Sequence, residues 1–136
     1  MKRRIPVVPC SGIGKSLGAV AREAAFILAE DLSPERTKIV ALSPLVMGDP
    51  ETCVEVSGLP AIAIDGCKLE CAAKGLAAAG ACEVHKIAAF DVLRRRRGLK
   101  PEGVSELNED GRLLSKAVAE EAAAVVDKIV GEDEDA

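Results

Sequence analysis

Residues 61–80 read Ala-Ile-Ala-Ile-Asp-Gly-Cys-Lys-Leu-Glu-Cys-Ala-Ala-Lys-Gly-Leu-Ala-Ala-Ala-Gly. The run Ala61 to Ile64 is apolar at every position and is stopped by Asp65-Gly66. A strand covered on both faces has that character, because neither side of its pleat meets water. From Cys67 to Ala79 the chain is Ala-rich and favours helix, and Gly80 closes it. Strand, tight turn and helix in immediate succession are the beginning of a βαβ unit.

The same alternation extends in both directions. Ile5 to Val8 is a first strand, ended by Pro9-Cys10-Ser11-Gly12. From Ile13 to about Asp31 the period is helical, with Leu17, Val20, Ala24, Ile27 and Leu28 on one face and Ser11 or Gly12 as the cap. Ser33-Pro34 breaks this helix, and Lys38 to Leu42 is a second strand. Asp49-Pro50-Glu51 supplies an N-cap, a proline at the first helical position and an acid in the first turn of a short helix that stops at Gly58. Glu83 to Phe90 reads as a fourth strand, and the basic run Arg94 to Arg97 as loop. Pro101 starts a short helix. Arg112 to Val130 is a long amphipathic one, with Leu114, Val118, Ala122, Val125 and Ile129 on one face. Residues 1–131 read as one α/β domain, and 132–136 as an acidic, disordered tail.

Strands alternating with helices predict a parallel sheet with right-handed crossovers and helices on both faces, a three-layer sandwich of flavodoxin or Rossmann-like type. The expected strand order is 2-1-3-4. In that order strands 1 and 3 are neighbours and the winding direction reverses between them. Ligands of such sheets bind outside the carboxyl ends of the strands at that reversal.

Composition narrows the function classes. Apolar residues make up 49% of the 136 and aromatics 1%, with no Trp or Tyr, so the core must be Ala, Val, Ile and Leu. That excludes an aromatic platform for single-stranded nucleic acid. The net charge of −4 gives no general attraction to nucleic acid either. No apolar stretch approaches a membrane span, and Ile5 to Val8 behind Lys2, Arg3 and Arg4 is too short for a signal peptide. These features point to the cytoplasm, where thiols stay reduced and a cysteine cluster more often binds metal or does redox work than forms disulfides. Five cysteines, an odd number, also argue against complete pairing.

The cysteine positions then matter. Cys10 follows strand 1 and Cys67 follows strand 3, at adjacent carboxyl ends. Cys71, four residues beyond Cys67, falls on the same helix face. Three sulfurs converge on one crevice, and zinc favours thiolates in a tetrahedron. A helix N-terminus at Cys67 favours the thiolate. Cys53, in the first turn of the helix after strand 2, Asp91, ending strand 4, and water are alternatives for the fourth position. Glu23 and Asp91 are candidates to assist an open site. Cys82 begins strand 4 at the opposite edge, and His85, the only histidine, packs within that strand.

Ala63-Ile64-Asp65-Gly66-Cys67-Lys68-Leu69-Glu70-Cys71-Ala72 resembles the DGC-domain family of zinc-binding proteins, named for its Asp-Gly-Cys motif. Pro9-Cys10-Ser11-Gly12-Ile13-Gly14-Lys15 is similar to that family's N-terminal motif. The resemblance covers nearly the whole chain up to the acidic tail. It implies zinc held by four cysteines, of which Cys10, Cys67 and Cys71 match the motifs; Cys53 is the choice for the fourth on geometry. It implies a metal site rather than any particular reaction.

Other readings of the same residues compete. Gly14-Lys15-Ser16 resembles the end of a phosphate-binding P-loop, but Pro9 stands where the pattern needs glycine. Asp65 would be the Mg²⁺-binding acid of that reading. Gly12, Gly14 and Gly18 follow strand 1 in a dinucleotide-like spacing, but Leu42-Ser43-Pro44 replaces the expected acid after strand 2. Thiol redox or persulfide chemistry on the same cysteines is the main alternative to zinc. The arginine run reads as a solvated loop.

Overall fold

A computed structural model describes residues 4–10, 15–66, 69–103 and 106–135 of the chain. Its centre is a four-stranded parallel sheet of β1 (Ile5–Pro9), β2 (Thr37–Ile39), β3 (Pro60–Asp65) and β4 (Glu83–Ala88) in the order β2-β1-β3-β4, as predicted. Ala61 to Ile64 are fully buried, as a strand with helices on both sides must be. The helices are α1 (Ser16–Phe26), α2 (Leu42–Val46), α3 (Pro50–Val54), α4 (Cys71–Ala78), α5 (Ala89–Arg95) and α6 (Glu109–Asp135). α1, α5 and α6 pack together on one face, and α2 and α4 on the other.

The core is aliphatic and small. Ala21, Ala24 and Ala25 of α1, Ala72 of α4 and Ala119 and Ala122 of α6 lie among Val7, Val8, Ile62, Ile64, Leu76 and Leu114. Phe26 is exposed and Phe90 only half-buried, so neither ring fills the centre. Alanine surfaces let helices approach closely and interdigitate at interior density.

Element bounds differ from expectation where a local rule was overridden. α1 begins at Ser16 with Lys15 as N-cap; Ser11 and Gly12 lie outside the described residues. It continues as a π-helical segment, Ile27–Leu32, closed by Ser33 N–H donating to the Leu28 carbonyl at 2.8 Å. β2 starts at Thr37 and ends at Ile39, because Leu42 enters the unforeseen helix α2. Pro44 is tolerated in its first turn, where amides have no intrahelical acceptor. α3 begins as read, with Thr52 N–H donating to Asp49 Oδ2 at 3.1 Å. β4 stops at Ala88, and Phe90 and Asp91 belong to α5. Arg94 and Arg95 form the last turn of α5 rather than loop. Pro101 starts no helix, and α6 is longer than predicted at both ends, remaining helical to Asp135.

Candidate metal centre at the carboxyl edge of the sheet

β1 and β3 run side by side with Val8 opposite Ala63 and Pro9 opposite Ile64. The ladder continues one step beyond β1, where Cys10 N–H donates to the Ile64 carbonyl at 2.9 Å. Gly66 N–H donates to Cys10 Sγ at 3.1 Å, across 56 residues of sequence. The first cysteine of the chain is therefore bonded to the Asp-Gly-Cys turn itself. Its side chain is buried, 6% exposed. An amide aimed at sulfur favours the ionised form, the one that ligates metal.

Each described residue of that turn has a physical task. Asp65 ends β3 and is buried; its Oδ1 accepts Ala72 N–H at 2.8 Å and its Oδ2 accepts Ala73 N–H at 3.2 Å. The carboxylate thus caps α4 from outside the helix, where the formal N-cap, Glu70, sits in the left-handed region at φ 54° and makes no side-chain cap. Burial pushes the Asp65 carboxyl above its ordinary value, outweighing the two amides, which pull it down. Gly66 is required by close approach: a Cβ there would stand 2.8 Å from the carbonyl carbon and oxygen of Leu17 and 2.9 Å from Gly18 N, all backbone. Glycine lets the turn seat against the start of α1.

Cys67 lies outside the described residues. Cys71 is the first residue of α4 and is exposed. α4 therefore begins at Cys71, and Glu70 just before it is in the left-handed region rather than in the helix expected to run through it. What brings Cys71 to this edge is the Asp65 cap on the two amides that follow it.

The other candidates sit on separate elements. Cys53 is half-buried on α3, its Sγ within 3.9 Å of the Leu45 carbonyl of α2. Ser57 N–H donates to the Cys53 carbonyl, and Gly58 N–H to the carbonyl of Gly80, shortly before β4 begins. The chain after Cys53 is thus tied to the amino edge through Gly58, whereas Cys53 was expected to serve the carboxyl edge. Cys82 is exposed at the amino edge, with its N–H on the Leu59 carbonyl. Asp91 is exposed on α5, 3.7 Å from Arg94. Glu23 is exposed on α1 beside Phe26, Glu106 and Arg112. His85 lies within β4 as read; its buried Nε2 is 3.3 Å from Glu83 Oε1 without hydrogen-bond alignment. Among the described residues, no three His, Cys, Asp or Glu side chains converge to hold a metal ion. Both Asp65 oxygens accept amides of α4, so its observed task is a helix cap rather than the Mg²⁺ binding of the P-loop reading.

Sequence reasoning missed a cleft that opens on Cys10 between the start of α1 and the chain after α5. Leu93, Leu99 and Lys100 line it from about ninety residues away in sequence, and no local pattern marks them.

This arrangement, a 2-1-3-4 sheet with a cysteine-bearing turn at its reversal point, defines a Rossmann-like α/β protein with a thiol-lined edge. The DGC domain family model matches residues 6–127, and the chain belongs to that family, generally regarded as a metal-binding domain. No curated protein and no solved structure matches the chain. No helix among the described residues is long and apolar enough to cross a membrane.

Proposed function

We propose that this chain binds zinc through Cys10, Cys67 and Cys71 at the carboxyl edge of β1 and β3, in a reducing compartment, the cytoplasm. The observation that carries the reading is the Gly66 N–H to Cys10 Sγ hydrogen bond, which unites the two cysteine motifs of the family at one turn. The donor set suits a thiophilic ion: sulfur ligands, an amide hydrogen-bonded to Cys10 Sγ, and a turn kept free of a Cβ at Gly66. Cys53 is left out because its sulfur faces the Leu45 carbonyl, so the fourth position falls to water or an incoming ligand. When bound, the ion supplies structural cross-linking and Lewis acidity. The residues around it hold the sulfurs and close the turn.

Metal analysis by inductively coupled plasma mass spectrometry tests this. The expected result is about one zinc per chain after purification under reducing conditions. Cys67→Ser is expected to lose most of it, and Cys53→Ser and Cys82→Ser to keep it. Equal losses in all three variants, or a wild-type chain without metal, would overturn the assignment. The exposed thiol of Cys71 at the start of α4 favours thiol redox as the second reading. Metal-free protein whose Cys71 forms a disulfide with Cys10 or Cys67 under mild oxidation would decide for it.

A further inference from the structure

The cleft over Cys10 has a volume of about 430 Å³. Its walls are mainly apolar, from Leu17 on α1, Leu93 on α5 and Leu99 beyond it, and its charged lining residues among those described are Lys15 and Lys100. Leu99 is also a wall of a second hollow, of about 380 Å³, which holds Arg96, Arg97 and Lys116.

The arginine run divides between these settings. Arg94 pairs with Asp91 and lies over the Phe90 ring, and Arg95 meets Glu121 through two hydrogen bonds of 2.8 and 3.2 Å. Arg96, Arg97, Lys15, Lys100 and Lys116 form no ion pair among the described residues, although Glu120 borders the second hollow and the Asp110 carboxylate accepts the Lys100 backbone N–H. These five cations, unpaired among the described residues, thus gather around Leu99 on a chain whose net charge is −4. Such a local excess attracts anions even where the whole protein does not.

We propose that the cleft binds a small organic anion. Its apolar body lies against Leu17, Leu93 and Leu99, and its acidic group pairs with Lys15 and Lys100. Arg96, Arg97 and Lys116 draw it in. A cleft of this size with an apolar wall and a few cations suits a small molecule. The inference rests on the zinc reading only for the ligand's place beside the ion, since binding to the lysines needs no metal.

Fluorescence titration of the full chain with two probes tests it: 1-anilinonaphthalene-8-sulfonate and N-phenyl-1-naphthylamine, which share one apolar body and differ in the anionic group. In about 50 mM salt, where screening is weak, the sulfonate is expected to bind at one site and about tenfold tighter than the amine. The double variant K15Q/K100Q, changed only at exposed side chains, is expected to lose about that factor for the sulfonate and none for the amine. Equal affinity for both probes, or a sulfonate affinity unmoved in K15Q/K100Q, would overturn the inference. Metal content of the same samples keeps the two readings apart. Metal-free wild-type chain that binds the sulfonate in a lysine-dependent way supports the cleft while removing the zinc reading. Zinc-loaded chain with no preference between the probes does the reverse.

Discussion

Asp65, Gly66 and Cys10 show how a three-letter motif acquires meaning from its neighbours. Aspartate is there to cap a helix that starts six residues later, and glycine because the backbone of Leu17 and Gly18 leaves no room. Gly66→Ala is expected to cost about 1–3 kcal/mol, since the atoms in the way are main chain and cannot swing aside. Denaturant titration measures that loss; a stability equal to wild type would mean that the turn can shift away from α1. The same substitution is expected to weaken metal retention, because moving Gly66 moves the amide that faces Cys10 Sγ. Asp65→Ala removes both acceptors of the α4 cap and is expected to cost about 1–2 kcal/mol net of the buried charge it relieves. A helical content unchanged at low denaturant, with no loss of stability, would show that α4 needs no cap.

Among the described elements, α6 is the longest, at 27 residues. It contacts α1, the π-helical segment, α5 and β4, and Leu114, Val118, Ala122 and Val126 are buried along it. Leu114, Val118, Ala122 and Ile129 belong to the stripe that helical periodicity predicted, whereas Val126 is buried where Val125 was expected and Val125 is half-buried. Leu114→Ala is expected to destabilise by about 2–5 kcal/mol, the range for emptying a fully buried leucine site. Thermal or chemical unfolding checks this, and a loss below 1 kcal/mol, about that of a surface change, would show that α6 is not integral to the core. The elements read wrongly share one cause: their ends were set by neighbours. α2 takes Leu42, the last residue of the expected strand, because Leu42 and Leu45 find burial against α4. α4 loses its expected first turn because the Asp65 cap fixes its start at Cys71.

For the molecule as a unit, a bound ion would join loops that β1 and β3 bring together from distant parts of the chain. A ligand that binds only the folded state stabilises it by mass action, about 4 kcal/mol when present at a thousandfold excess over its Kd. Stripping the metal is therefore expected to lower Tm by roughly 10 °C in a domain of this size, with recovery on adding zinc back. Identical melting curves for stripped and reloaded protein would exclude a structural role for the ion.

The alternation of apolar runs and helical stretches was enough to read the parallel sheet, its 2-1-3-4 order and the meeting of Cys10 with the Asp-Gly-Cys turn, because strand burial and crossover handedness leave few arrangements. Membership of the family was likewise legible in two short motifs. The place of Cys53 was not, since the path from Asp49 to Gly58 is set by α2 packing and by the Gly58 bond to Gly80, neither of which a local pattern encodes. Nor was the cleft. Its walls come from α1 and from residues 93–101, and only folding brings an apolar surface and cations from such separated stretches around one sulfur.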